Sequence, residues 1–174
     1  EKVLTGTDVI AKFEGATVHK FADADEVMIW FKASKTDQTK FGCCRNHYRT
    51  GTDICAVEAL AWMQAKFPWR FHGHEQHEPL FRLTDGSPFT RVAIQEILES
   101  AAVGLGLDPS RFRSHSLRIG GATALYHIRP DVQLIQRFGR WTSNAFQSYL
   151  WEANETSKGL AKEMAEDLTT LHVV

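Results

Sequence analysis

Strand-forming side chains crowd into the first fifty positions of this chain, and from Asp53 onward they give way to helical spacing. A run of strands followed by a run of helices implies an α+β fold, here mostly α-helical with one small sheet. Residues 16–21 and 26–34 hold Val18, Phe21, Val27, Met28, Ile29, Trp30 and Phe31, with the polar Ala22-Asp23-Ala24-Asp25 between them. That pattern predicts a hairpin. Residues 34–40 are polar and turn-prone, and residues 41–48 return as a third strand, which makes a small three-stranded antiparallel sheet with a basic turn.

Asp53 is placed to cap a helix on which Ile54, Val57, Leu60 and Ala61 recur at helical spacing until Pro68 closes the pattern. Residues 69–88, broken by Pro79, Gly86 and Pro88, read as an irregular connector holding a short element at 80–83. Thr90 then caps a second helix with Val92, Ile97, Leu98 and Ala101 on its apolar face, ending near Gly104 and Gly106. Shorter helices are expected at 117–127, at 131–138 with Pro130 at its start, and at 143–151 with Ser143 as cap. Leu160, Met164 and Leu168 mark a last one in the tail, 152–174.

With 174 residues, 43% hydrophobic and 24% charged, one domain is the expectation. No apolar run approaches the roughly 18 residues that span a bilayer, and no basic segment leads an apolar signal stretch, so no membrane partner is expected and an intracellular protein is. The first residue is Glu1, not Met, and the chain reads as a fragment that starts partway into an element. Cys43, Cys44 and Cys55 lack the spacing of a zinc or redox motif and read as reduced structural thiols. His72, His74 and His77 beside Glu75 and Glu78 lack metal-ligand spacing and read as a solvated loop; no metal or cofactor is expected. No glycine-rich phosphate loop supports nucleotide hydrolysis.

A net charge of −1 argues against a nucleic-acid partner until its distribution is considered. Residues 109–151 carry six arginines against the single acid Asp131, whereas 152–174 carry five acids and two lysines. Residues 32–50 form a second basic segment, with Lys32, Lys35, Lys40, Arg45 and Arg49 against Asp37. Two such segments suit one phosphate backbone.

The first of these holds His115-Ser116-Leu117-Arg118, then Gly139-Arg140-Trp141, then Tyr149. This run resembles the H-x-x-R, G-[H/W] and nucleophilic-tyrosine boxes of the tyrosine recombinases, the phage-integrase family, and its Gly-Arg-Trp form is similar to eukaryotic mobile-element recombinases of the DIRS and Crypton kinds. Arg118 and Trp141 are 23 positions apart, close to the family's gap; Trp141 and Tyr149 are 8 apart, one fewer than in bacterial and phage members. Leu80-Phe81, Asp85-Gly86-Ser87-Pro88 and Gly106-Leu107-Asp108 resemble the family's linking segments, so the likeness spans most of 26–151.

Breaking a phosphodiester without a metal takes a nucleophile, a proton donor for the leaving oxygen and cations around the developing charge. The resemblance implies that Tyr149 attacks the scissile phosphate and that Arg118 holds it with a planar fork of donors. His115 would exchange protons with Tyr149, and the indole N–H of Trp141 would donate to a phosphate oxygen. Lys35, with Lys40 as rival, would protonate the leaving oxygen. Lys40, Arg113 and Arg140 are the further DNA-binding candidates. Double-stranded DNA and a synaptic tetramer of the chain are the implied partners.

The family's other active-site arginine precedes the sheet, yet no arginine occurs before Arg45. If Asp8-Val9 is the family's entry into the sheet, that arginine and the DNA-clamping domain lie ahead of Glu1. Two alternatives remain open: a domesticated DNA-binding module that has lost cleavage, and a type IB topoisomerase.

Overall fold

The computed structural model describes residues 3–32, 41–150 and 163, and the chain divides into two units, Glu1–Thr90 and Arg91–Val174. The first unit is built on a hairpin that strand composition does not reveal. Strand β1 (Val9–Phe13) and strand β2 (Ala16–Val18) are joined by Glu14 and Gly15, whose φ angles are 48° and 82°. Positive φ at both central residues gives a two-residue turn whose twist matches that of the flanking strands.

Strand β3 (Glu26–Phe31) then pairs with the other edge of β1, and β4 (Cys43–Tyr48) with β3, giving an antiparallel sheet in the order β2-β1-β3-β4. The sheet thus has four strands, not three, and the segments at 16–18 and 26–31 are not partners; β1 lies between them. The expected turn at 22–25 is overlapped by a short 3-10 segment, Phe21–Asp23, whose Phe21, expected in a strand, is buried. Register sets Ala11 opposite Val27 and Val9 opposite Ile29, so one face of β1 and β3 enters a core with Phe21, Leu60, Phe71 and Leu80.

Helix α1 (Ala56–Lys66) covers that core with Val57 and Leu60. Its cap position is Cys55, not Asp53, and the Cys55 Sγ accepts a 3.5 Å bond from the Thr50 N–H. It stops at Lys66 because Phe67, preceding Pro68, is driven out of helical geometry. The connector holds a one-turn helix, α2 (Trp69–His72), and the bridges Thr5 to Pro79 and Arg82 to Pro88. Arg70 is buried there, donating to the carbonyls of Leu80, Arg82 and Leu83.

The second unit begins with α3 (Arg91–Gly104), whose buried residue is Ala102; Val92 and Ile97, expected inward, are exposed. Helix α4 (Ser114–Ile128), helix α5 (Val132–Gly139) and a 3-10 segment (Asn144–Tyr149) follow. Asp131, rather than Pro130, marks the start of α5, its carboxylate accepting the Leu134 N–H at 2.9 Å. Ala122, Ile135 and Phe146 form the core of this unit, with Leu125, Tyr126, Val132, Trp141 and Leu150 around them. The expected tail helix lies outside the described residues. Among the described residues no helix is long and apolar enough to cross a membrane.

Candidate active site

Helix α4 starts at Ser114, three positions before the spacing of its apolar residues shows it, and this puts His115 and Arg118 one turn apart on one side. Four and seven residues beyond Arg118 on the same stripe, Ala122 and Leu125 pack into the core with Ile135 and Phe146. The stripe therefore fixes Arg118 at the rim of that core, where it is exposed. Its Nη2 donates a 2.6 Å hydrogen bond to the Gly139 carbonyl, and its Cζ sits 4.5 Å from the centroid of the Trp141 ring.

Gly139 ends α5, so its carbonyl is among those that a helix leaves without an internal partner. A guanidinium at this negative end of the helix satisfies both the hydrogen bond and the charge. Arg140 next adopts left-handed geometry, φ 56° and ψ 43°, and its N–H returns to the carbonyls of Arg137 and Gln136. The Trp141 N–H also bonds the Gln136 carbonyl, at 3.0 Å. This reversal lays the indole over Gly139, where an added Cβ would stand 1.5 Å from the ring's Cζ3. Only glycine leaves room for the ring. Trp141 also packs against the fully buried Phe146, with centroids 5.3 Å apart and planes inclined by 32°. The indole is thus both part of the core and the platform under Arg118.

Tyr149 closes the 3-10 segment, three residues after Phe146. Ser143 caps this segment as expected, its hydroxyl accepting from the Ala145 N–H at 3.4 Å, but the segment is 3-10 rather than α-helical and ends two residues short of the predicted 143–151. Within this one unit Arg118 meets Gly139 and Trp141, Trp141 packs on Phe146, and Tyr149 follows Phe146 by three residues.

Of the other expected site residues, Arg113 is the N-cap residue of α4 and is exposed. Lys35 and Lys40 lie outside the described residues. Two members of the second basic segment are committed inside the first unit. Lys32 makes a 2.8 Å ion pair with the buried Asp8. Burial pushes the Asp8 carboxyl up, but the bonds from Lys32 and from the N–H and hydroxyl of Thr5 outweigh it and hold that carboxyl below its ordinary value. Arg49 donates to the carbonyls of Ala24, Phe21 and Ala22 and pairs with Glu58. Both cations are thus engaged within their own unit. His72 belongs to α2 rather than to a loop, and its Nε2 bonds Gln64 and the His19 carbonyl. Among the described residues no group of three His, Cys, Asp or Glu side chains is placed to hold a metal ion.

Gln95, on α3, escapes motif reading. Its Oε1 accepts the Ser114 N–H at 3.1 Å, and its Nε2 donates to the Phe112 carbonyl at 2.7 Å, on either side of Arg113. The signal available in the sequence is a polar residue on the stripe that runs through Leu98 to the buried Ala102.

The family model described as the phage integrase family matches residues 44–154, more than half of the chain. The chain belongs to the phage integrase family. That match holds His115, Arg118, Gly139, Arg140, Trp141 and Tyr149, together with nearly all of β4, while β1 to β3 precede it. Among solved structures, the XerH site-specific recombinase, captured on its difH substrate in a pre-cleavage complex, matches 92% of this chain with a TM-score of 0.60 at 20% identity. That likeness shows the phage-integrase fold, with four strands in this chain, and the chain spans 40% of the length of that recombinase. No curated protein sequence matches the chain.

Proposed function

We propose that this chain is the catalytic part of a site-specific DNA recombinase that cuts and rejoins double-stranded DNA through a 3′-phosphotyrosyl bond to Tyr149. The observation that carries the reading is the anchored pair of Arg118 and Trp141, with the guanidinium held by the Gly139 carbonyl above the indole and His115 one turn away. An arginine fork pre-positioned at the surface suits a phosphate that gains charge on the way to its pentavalent state, because little reorganisation is then left for the reaction.

In this mechanism the Tyr149 oxygen attacks the phosphorus and the bond to the 5′-oxygen breaks. His115 receives the tyrosyl proton and Lys35 supplies one to the leaving 5′-oxygen, which departs as a hydroxyl. Arg118 bears the phosphate charge, Trp141 orients Arg118 and offers its indole N–H, and Arg113, Arg140 and Lys40 contact the DNA backbone. The reverse attack by a 5′-hydroxyl from a second duplex restores the tyrosine and joins the strands, so no energy source is consumed. Pairing two duplexes calls for a tetramer of the chain on DNA. Gly139-Arg140-Trp141 favours a eukaryotic mobile-element enzyme of the DIRS or Crypton kind, acting in the nucleus.

The test is to incubate the full-length protein with the DNA that flanks its gene and to look for SDS-resistant protein–DNA adducts beside a Tyr149→Phe control. Adducts that vanish in the control support the reading. DNA binding without adducts supports instead a module retained for binding alone. Relaxation of plasmid DNA irrespective of sequence supports a topoisomerase.

A further inference from the structure

We infer that Gln95 is a positioning residue that fixes where α4 begins, and with it His115 and Arg118, for the strand transfer proposed above, on which this inference rests. A helix leaves its first N–H groups without internal partners, and a Ser, Thr, Asp or Asn at the cap position ordinarily accepts from one of them. The cap of α4 is Arg113, whose side chain has donors only. An acceptor for the helix start comes instead from another helix: Gln95 Oε1 takes the N–H of Ser114, the first helical residue, at 3.1 Å, while the Ser116 N–H goes to the Arg113 carbonyl at 2.7 Å.

The same carboxamide turns its other end to the residue before the cap, Nε2 donating to the Phe112 carbonyl at 2.7 Å and to Glu99 Oε1 at 2.7 Å. Arg91 Nε reinforces the clamp with a 3.3 Å bond to Ser114 Oγ, and the Arg113 N–H is taken by Ser116 Oγ at 3.1 Å. Residues 112–116 are thereby held from both sides immediately around His115. The start of a helix sets the direction of every side chain on its first turn, because each residue advances it by about 100°. A start that shifts by one residue, or a first turn that frays, carries Arg118 away from the Gly139 carbonyl and the Trp141 ring and turns His115 with it. Supplying the cap from α3 also lets the cap position be an arginine, exposed at the edge of the site.

The experiment measures single-turnover adduct formation by the full-length protein at saturating flanking DNA, for the unsubstituted chain, Gln95→Met and the paired variant Gln95→Glu with Glu99→Gln. Methionine keeps the length and volume of glutamine without its hydrogen bonds; the exchanged pair keeps the acceptor that Ser114 uses and lets the amide introduced by Glu99→Gln donate to it, so that no two carboxylates meet. The expected result is a rate constant about 10- to 100-fold lower for Gln95→Met, as for a misplaced catalytic group, with DNA affinity and reaction amplitude unchanged and part of the rate recovered in the exchanged pair. A Gln95→Met protein that cuts at the unsubstituted rate constant overturns the inference, and so does one that loses only amplitude, the mark of a purely structural role. Absence of any Tyr149-dependent adduct from the unsubstituted protein overturns the strand-transfer reading itself.

Discussion

Arg118 Nη2 reaches the main-chain oxygen of Gly139 at 2.6 Å, so the arginine of one sequence box is tied to the glycine of the next across 21 positions. Trp141, two residues further on, lies beneath the same guanidinium. Gly139→Ala sets a methyl group where the indole now is. Displacing the ring costs about 1–3 kcal/mol, as overpacked sites do, and it removes the platform under Arg118. Urea unfolding measures the first effect, and adduct formation by the folded fraction measures the second; both are expected to fall.

Arg118→Lys retains the charge and discards the planar fork. DNA affinity is expected to change little, while the rate of adduct formation drops by about 10²- to 10³-fold, the usual consequence of losing a donor aimed at a developing oxyanion. Equal losses in affinity and rate would mean that Arg118 contributes to binding only.

Arg140 occupies left-handed backbone geometry, which a residue with a Cβ enters at a cost of roughly 1–2 kcal/mol. Arg140→Gly removes that cost, so thermal unfolding is expected to shift upward. DNA binding is expected to weaken, with the slope of log affinity against log salt reduced by about 0.9, one phosphate contact. A variant that is less stable and binds DNA as before would assign Arg140 to the fold alone.

Asp8 titrates below its unfolded value of about 3.9 because Lys32 and Thr5 stabilise its carboxylate. Its folded pKa is depressed, so the stabilisation is complete above the unfolded pKa and is lost as the pH falls from there through the folded value. Lys32 is 43% exposed, so solvent screens the pair and Asp8→Asn is expected to cost only about 1 kcal/mol at neutral pH. Urea midpoints followed from pH 7 down to pH 2 should show a shallower acid limb for Asp8→Asn than for the unsubstituted protein.

Arg49 resembles a DNA contact in the sequence and is a structural tie in the fold. Arg49→Ala removes the bonds to the carbonyls of Phe21, Ala22 and Ala24 and the pair with Glu58. A loss of roughly 2–3 kcal/mol is expected, the scale of hydrogen bonds to a charged group. DNA affinity of the folded protein should stay as it is, and a salt slope lowered by the substitution would contradict this assignment.

The α+β class and the order of the longer helices are legible in the sequence, and its boxes stand out there, because each rests on local signals: apolar spacing, Pro68 after α1, Ser143 before the 3-10 segment. Strand pairing is not local. The turn at Glu14-Gly15 lacks the Asn or Asp that announces most tight hairpins, so β1 passes unnoticed and β2 is assigned the wrong partner. The same limit applies to the site. His115, Arg118, Trp141 and Tyr149 stand out by type and spacing, whereas the reason for Gly139 emerges only when the indole folds back on it, and Gln95 acquires a role only when α3 meets the start of α4. At Lys32 and Arg49 charge counting does not reveal the internal partners, because a cation bonded within its own unit looks no different in sequence from one aimed at phosphate.

The most direct measurement is to digest a trapped protein–DNA adduct and identify the residue that carries the DNA. The chain has three tyrosines; Tyr126 packs beside the core of the second unit, and Tyr48 is 63% exposed on the edge strand β4. The expected result is a 3′-phosphate linked to Tyr149 and no linkage in Tyr149→Phe. DNA attached to Tyr48, or adducts that persist in Tyr149→Phe, would contradict the assignment of Tyr149 as the nucleophile.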